Sequence, residues 1–144
     1  MIDAHKYNSL VYNIIGASME VRNILGRGLL ESVYQEALSI ELATSGVHCA
    51  LEQEVPIYYK GYQLSKKFRL DILVEKDVIV ELKSVEQLSA EHRHQLCNYL
   101  RLTKKPVGLL INFGGNTLLG ERWIYDDETK DCFMVDRNMN PIEQ

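Results

Sequence analysis

The chain has 144 residues, 46% of them hydrophobic and 25% charged, enough for one domain with its own core and too apolar for wholesale disorder. The net charge of −4 sits entirely in residues 126–144, where Asp126, Asp127, Glu128, Asp131, Asp136 and Glu143 face only Lys130 and Arg137; residues 1–125 balance 14 basic against 14 acidic side chains. That distribution excludes the long-range attraction of a strongly basic nucleic-acid binder, while leaving room for a local basic patch.

The first residues include Asp3, His5 and Asn8, so the N-terminus lacks the basic and then apolar layout of a signal peptide. Leu10, Val11, Ile14, Ile15, Val21, Ile24 and Leu25 recur at helical spacing and predict a first helix over 8–25. Gly26 and Gly28 interrupt it. A second helix is predicted at about 29–45, with Leu30, Val33, Tyr34, Ala37, Leu38 and Leu42 on its inner side and Gly46 as its stop. Residues 48–59 read as extended. Lys60-Gly61 turns into a strand through Phe68, Leu70, Ile72 and Val74, and Glu75-Lys76-Asp77 turns again into Val78–Lys83. Ser89 caps a third helix at about 90–103, with Glu91 in the first turn, where the helix dipole favours an acid. Pro106 ends it. Val107–Phe113 is a buried strand and the longest apolar run, far short of the roughly 20 residues a membrane helix needs. Gly114-Gly115-Asn116, with no helix after it to form a phosphate cradle, turns into a last strand ending near Tyr125.

The order α-α-β-β-β-α-β-β predicts an α/β domain with helices packed on a mixed sheet over residues 1–125, followed by an acidic C-terminal tail over 126–144. The tail is either disordered or adds a short strand through Cys132 to Val135. Cys49, Cys97 and Cys132 form no CxxC pair. They read as free thiols in a reducing cytoplasm, not as a disulfide framework or a zinc ribbon.

The segment Phe68–Lys83 carries the chemistry. Two apolar, central-looking strands contain ionisable groups. Alternation puts Phe68, Leu70, Ile72 and Val74 on one side and Arg69, Asp71 and Leu73 on the other, and it separates Val78, Val80 and Leu82 from Ile79, Glu81 and Lys83. The tight turn makes the strands antiparallel neighbours, so Asp71 and Glu81 can meet on one face. Two carboxylates in a partly dry site repel unless a cation lies between them, and Mg²⁺ suits such a place because it takes a few carboxylate oxygens and keeps several waters. Lys83 shares the face of Glu81, where it can hold a phosphate oxygen or help orient and deprotonate an attacking water. The competing reading is a cross-strand salt bridge on a solvated sheet face; three ionisable residues within two hydrophobic strands bring the functional reading level with it.

Gly28-Leu29-Leu30-Glu31-Ser32-Val33-Tyr34 has the form GxxExxY. Together with Arg69-Leu70-Asp71, Glu81-Leu82-Lys83 and Gln95-Leu96-Cys97-Asn98-Tyr99-Leu100, it resembles the GxxExxY proteins of the PD-(D/E)XK nuclease superfamily, from about Leu10 to Tyr125. Leu70 stands where the superfamily's name puts Pro. The resemblance implies a restriction-endonuclease-like, three-layer α/β/α core over residues 1–125. It also implies Asp71 and Glu81 as metal ligands and Lys83 as the catalytic lysine, with Glu31 and Gln95 completing the site.

The flanking residues each have a plainer reading. Glu31 could reach the metal or its waters, or simply favour a first helical turn. Gln95 could orient water or substrate, or satisfy a buried backbone group. Tyr34 and Tyr99 read as core residues with satisfied hydroxyls. His92 and His94, two apart on a helix, diverge and make no metal pair. Lys66, Lys67 and Arg69 lead along the strand to Asp71 and are the first candidates for nucleic-acid phosphate contacts, ahead of Arg27, Arg93 and Arg101. The expected function is Mg²⁺-dependent hydrolysis of phosphodiester bonds, with Mn²⁺ as a substitute and DNA rather than RNA as substrate. Asp71, Glu81 and the carbonyl of Leu82 would hold the ion. A cut through both strands would call for a homodimer, and no membrane partner is expected. The rivals are a nucleic-acid-binding module on the same fold without catalysis, and an interaction protein that docks a basic partner on its acidic tail.

Overall fold

The computed structural model describes residues 4–142, so the ends of the expected domain and tail, residues 1–3 and 143–144, lie outside the described residues. A short 3₁₀ turn, Ala4–Tyr7, leads into α1 (Asn8–Leu25), which buries Val11, Ile14, Ser18 and Val21 at helical spacing. The Ser18 hydroxyl donates to the Ile14 carbonyl one turn back at 2.8 Å, so its burial leaves no orphan donor. Leu30 stays extended (φ −64°, ψ 145°), and α2 therefore begins at Glu31, running to Thr44 with Tyr34, Leu38 and Leu42 inward.

Six strands come after α2: β1 (Cys49–Tyr59), β2 (Tyr62–Val74), β3 (Val78–Lys83), β4 (Val107–Asn112), β5 (Leu119–Asp126) and β6 (Asp131–Val135), with α3 (Ala90–Thr103) between β3 and β4. They form one sheet in sequence order, antiparallel except where β3 runs parallel to β4. That one parallel pair needs a crossover, and α3 supplies it. Ser89 caps α3 with a reciprocal box: the His92 N–H donates to the Ser89 hydroxyl and the Ser89 N–H donates to His92 Nδ1.

Alternation along β3 sorts the layers. Val78, Val80 and Leu82 join α1 and α2 in one core, while Ile79 joins Leu96 and Leu100 of α3 in the other. The fold is the expected α/β/α sandwich. No helix among the described residues is long and apolar enough to cross a membrane.

The alternation expected along β2 fails at one point. Ile72 and Val74 pack on the α1/α2 side, but Leu70 packs with Leu73 on the α3 side. The partner strand turns over at the same place: Cys49 lies against the first core and Val55 against the second. Glu52, between the rungs Leu51–Ile72 and Gln53–Leu70, has φ 50°, and a left-handed residue inside a strand rotates the stretch beyond it. Asp71 lies on the α3 side with Leu73, where it acts on Tyr99. Beyond Ile72, β2 has only β1 as a partner, so residues 53–69 project from the sheet as a two-stranded arm.

The acidic segment takes the strand course. β6 pairs with β5 from Asp126–Asp131 to Arg122–Val135, and Val135 and Met139 are buried in the first core. It also corrects the reading of the cysteines: Cys97 on α3 and Cys132 on β6 are joined as a disulfide, and Cys49 alone is free among the described residues. An odd count rules out complete pairing and leaves a single bridge open. Once β6 is added, the two Cα atoms stand 5.9 Å apart, within bridging range. Cysteine usage therefore no longer points to a reducing compartment.

Glycines at close approaches differ in what stands against them. A Cβ on Gly108 would meet Leu96 Cδ1 at 2.7 Å, and one on Gly114 would collide with the backbone of Ser84 and Val85. Leucine tips can move and backbone cannot. Gly108→Ala is expected to cost about 1 kcal/mol and Gly114→Ala about 3 kcal/mol of unfolding free energy. Urea denaturation of the two variants checks the order, and equal losses would refute the backbone collision.

Candidate active site

The register of β2 on β3 stops at Ile72–Val80, one rung short of Asp71 opposite Glu81. Side chains replace the missing rung. The Leu82 N–H donates to Asp71 Oδ2 at 2.8 Å, and the Asp71 N–H donates to Glu81 Oε1 at 3.3 Å. Each carboxylate accepts a backbone N–H from the other strand, which fixes both near one another and leaves lone pairs spare.

Glu81 is only 4% exposed. Burial first, then the neighbouring charge of Asp71, pushes its carboxyl up to about 9; Lys83 pulls in the opposite direction and does not win. The same two acids, after burial, raise the Tyr99 hydroxyl, which places this α3 tyrosine within their field. Tyr99 packs tilted on Phe68 of the arm, ring centroids 4.7 Å apart.

Lys83 is half-buried two residues beyond Glu81 on the same face, and its Nζ donates a long 3.4 Å bond to Gln95 Oε1 on α3. Gln95 itself is exposed. Glu31 is exposed in the first turn of α2, and its carboxylate bonds no described residue. No group of three or more His, Cys, Asp or Glu side chains placed to hold a metal occurs among the described residues. Asp71, Glu81, Leu82, Lys83 and Gln95 are thus brought together, and Glu31 makes no hydrogen bond to them.

One helical turn after Glu31, however, Gln35 reaches in: its Nε2 donates to the Asp71 carbonyl at 2.8 Å. Its signal in the sequence was its place on the Glu31 stripe. Asn112 also escaped notice. It is 2% exposed, pairs with Lys83 across β3–β4, accepts from the Val85 and Gly114 amides at 3.0 and 3.1 Å, and donates to the Val85 carbonyl at 2.9 Å. This clamps the chain just after Lys83. Tyr34 is a core residue, donating to the Gly26 carbonyl at 2.7 Å and stacked on Phe113 at 4.3 Å.

The basic candidates divide. Lys66, Lys67 and Arg69 are exposed on the arm, Lys67 in a 3.8 Å pair with Glu54. Arg93 is committed to Glu121 through a bidentate contact, 2.7 and 2.9 Å, and Glu121 also accepts from the Trp123 indole. A 290 Å³ cleft lined by Arg27, Glu86, Gln87, Gly114, Gly115 and Asn116 opens past the ends of β3 and β4; neither Asp71 nor Glu81 lines it.

Two hard oxygen donors that meet with Glu81 buried and Asp71 half-buried fit a divalent ion that fills its remaining positions with water. The raised Glu81 carboxyl is the physical sign of that fit: the pair holds a proton where a cation would let both acids ionise.

Comparison with known proteins points the same way. A family model described as the PD-(D/E)XK nuclease superfamily matches residues 8–122. The crystal structure of SSO0001 is similar in fold, with a TM-score of 0.51 at 17% identity over 86% of this chain; the chain spans 63% of that protein's length. No curated protein matches in sequence.

Between the ordinary glutamate value of 4.5 and about 9, the folded protein keeps a proton on Glu81 that the unfolded chain has lost. Stability contributed this way is full below pH 4.5 and drains as pH rises toward 9, at up to about 1.4 kcal/mol per pH unit. In chelator, the unfolding free energy of the wild type relative to Glu81→Gln is expected to fall steadily from pH 5 to pH 9. Parallel curves in thermal or urea unfolding would show that Glu81 is ionised throughout.

Proposed function

The chain belongs to the PD-(D/E)XK nuclease superfamily, and from that premise we propose that it is a Mg²⁺-dependent nuclease that hydrolyses DNA phosphodiester bonds at Asp71, Glu81 and Lys83. One observation carries the reading: two carboxylates from adjoining strands, Glu81 buried and Asp71 half-buried, each accept a backbone N–H from the other's strand, with a lysine two residues beyond Glu81. Asp71 and Glu81, with the Leu82 carbonyl, would hold the ion, and Mn²⁺ would substitute for it. When bound, the ion supplies Lewis-acid stabilisation of charge on the phosphoryl oxygens.

The chain's own groups do the rest. Lys83, braced by Gln95, orients the attacking water and contacts a phosphate oxygen. The water oxygen bonds to phosphorus on the side opposite the leaving O3′, the P–O3′ bond breaks, and the water proton ends on the departing oxygen. Glu31 lies at the start of the helix that carries Gln35 and would act on a water of the ion. Lys66, Lys67 and Arg69 would position the substrate backbone. A cut through both strands of a duplex would be made by a homodimer.

The absence of a three-acid cluster among the described residues favours a second reading, a nucleic-acid-binding module on this fold that does not cut. The two separate cleanly. Wild-type protein with DNA and Mg²⁺ or Mn²⁺ is expected to cleave, and Lys83→Ala to lower the rate by about 10²-fold or more. Cleavage that survives Lys83→Ala removes the nuclease proposal. Binding indifferent to chelator and to Asp71→Ala, with no cleavage, selects the second reading.

A further inference from the structure

We propose that the two-stranded arm, residues 53–69, binds single-stranded nucleic acid, with Tyr58, Tyr59 and Tyr62 at its tip stacking on unpaired bases and Lys60, Lys66 and Arg69 meeting the sugar-phosphate backbone. This takes its purpose from the nuclease reading, whose substrate it narrows to strands with an unpaired stretch, but its test is independent of cleavage.

The rings come first. Tyr59 and Tyr62 form the last rung of the hairpin and leave it on one face, and Tyr58, opposite Gln63, leaves on the other. They are 61%, 75% and 58% exposed. Among the described residues no other strand covers them, since β2 beyond Ile72 is paired only with β1. Three flat apolar surfaces in five residues are an expensive way to end a hairpin unless something flat lies on them.

Charge then chooses the partner. The chain carries −4, yet the arm holds Lys60, Lys66, Lys67 and Arg69 against the single acid Glu54. Glu54 engages Lys67 at 3.8 Å; Lys66 and Arg69 form no ion pair among the described residues. Lys60 Nζ lies 5.5 Å from the centre of the Tyr59 ring, so a cation stands beside a stacking surface. A nucleotide presents that same pairing, a base with a phosphate next to it. A duplex offers the phosphates, but its base faces are already stacked on one another and give the tyrosines nothing without unstacking. Unpaired bases offer both.

Placement completes the case. Tyr62 and Asp71 are nine residues apart on β2, about 30 Å at strand rise. A strand lying along the arm is led from the tyrosines to the two carboxylates, over about nine nucleotides at B-form spacing and fewer when stretched.

The test uses Lys83→Ala protein in chelator, with fluorescence anisotropy of a labelled oligothymidylate of about 12 nucleotides and of a duplex of equal length. The single strand is expected to bind at least tenfold tighter. Tyr59→Ala/Tyr62→Ala should weaken it about tenfold or more, and Tyr59→Phe/Tyr62→Phe should keep it, which separates loss of rings from loss of fold. Lys66→Ser/Arg69→Ser should reduce the log–log salt slope by about 1.4, 0.7 for each charge removed. Equal affinity for duplex and single strand, or indifference to the loss of both rings, would overturn the proposal. So would a dimer in sedimentation that the tyrosine-to-alanine pair dissolves, since the arm would then belong to a second copy. If wild-type protein fails to cut DNA while tyrosine-dependent binding persists, the nuclease reading falls and this one stands.

Discussion

Asp71 and Glu81 stand where β2 and β3 should share a rung, and the sheet gives up that rung to seat them. Backbone amides that would have bonded across the ladder bond to carboxylates instead, so no donor is orphaned and the strands stay joined. The cost falls on Glu81, whose burial beside a second acid makes its charged form unfavourable. A fold selected for stability alone would place two apolar side chains here, as it does at the next rung, Ile72–Val80. The rest of the centre is organised around this exception. Gln35 reaches from α2 to the Asp71 carbonyl, Asn112 clamps the chain after Lys83, and α3 brings Gln95 to the lysine.

Much of this was legible in the sequence because local rules suffice for it. Helical spacing in Val11, Ile14 and Val21, the Ser89 cap and the polar turn at 75–77 each depend on residues within one or two turns of chain, and the corresponding elements form where those signals lie. The strand pair that juxtaposes Asp71 and Glu81 needs only a three-residue turn between two apolar runs. Face assignment along β2 was different. It rested on strict alternation, which a single left-handed residue on the neighbouring strand undoes, and nothing about Glu52 as a residue type announces φ 50°.

The features that stayed hidden were mostly long-range. Gln35 differs from any exposed helical glutamine only by what α2 is packed against, and Asn112 from any strand-end asparagine only by the loop beside it. The acidic segment left disorder and a short strand equally open because its charge dominates its composition; in the fold Val135 and Met139 bury in the core, Asp126 is buried at the end of β5, and Asp127, Glu128 and Asp131 stay exposed. Asp127 shows how the rim absorbs them: it accepts from Lys104 at 2.7 Å and Lys130 at 3.0 Å, and Lys104 chief among these partners holds its carboxyl well below the usual range. The disulfide comes from the same addition, since Cys132 meets Cys97 only once β6 is in the sheet.

The site and the arm have a common origin in one departure of the chain from its ladder. At Asp71, β2 leaves β3 and turns over. On one side of that point the freed rung becomes a pair of carboxylates; on the other, residues 53–69 lose their sheet and continue as a hairpin in which β1 and β2 hold only each other. An isolated hairpin is marginal in water. This one is anchored at its base by Val55 and by Phe68 on Tyr99, and Tyr99 in turn lies within the field of the two acids. Base of arm and candidate site therefore share a wall.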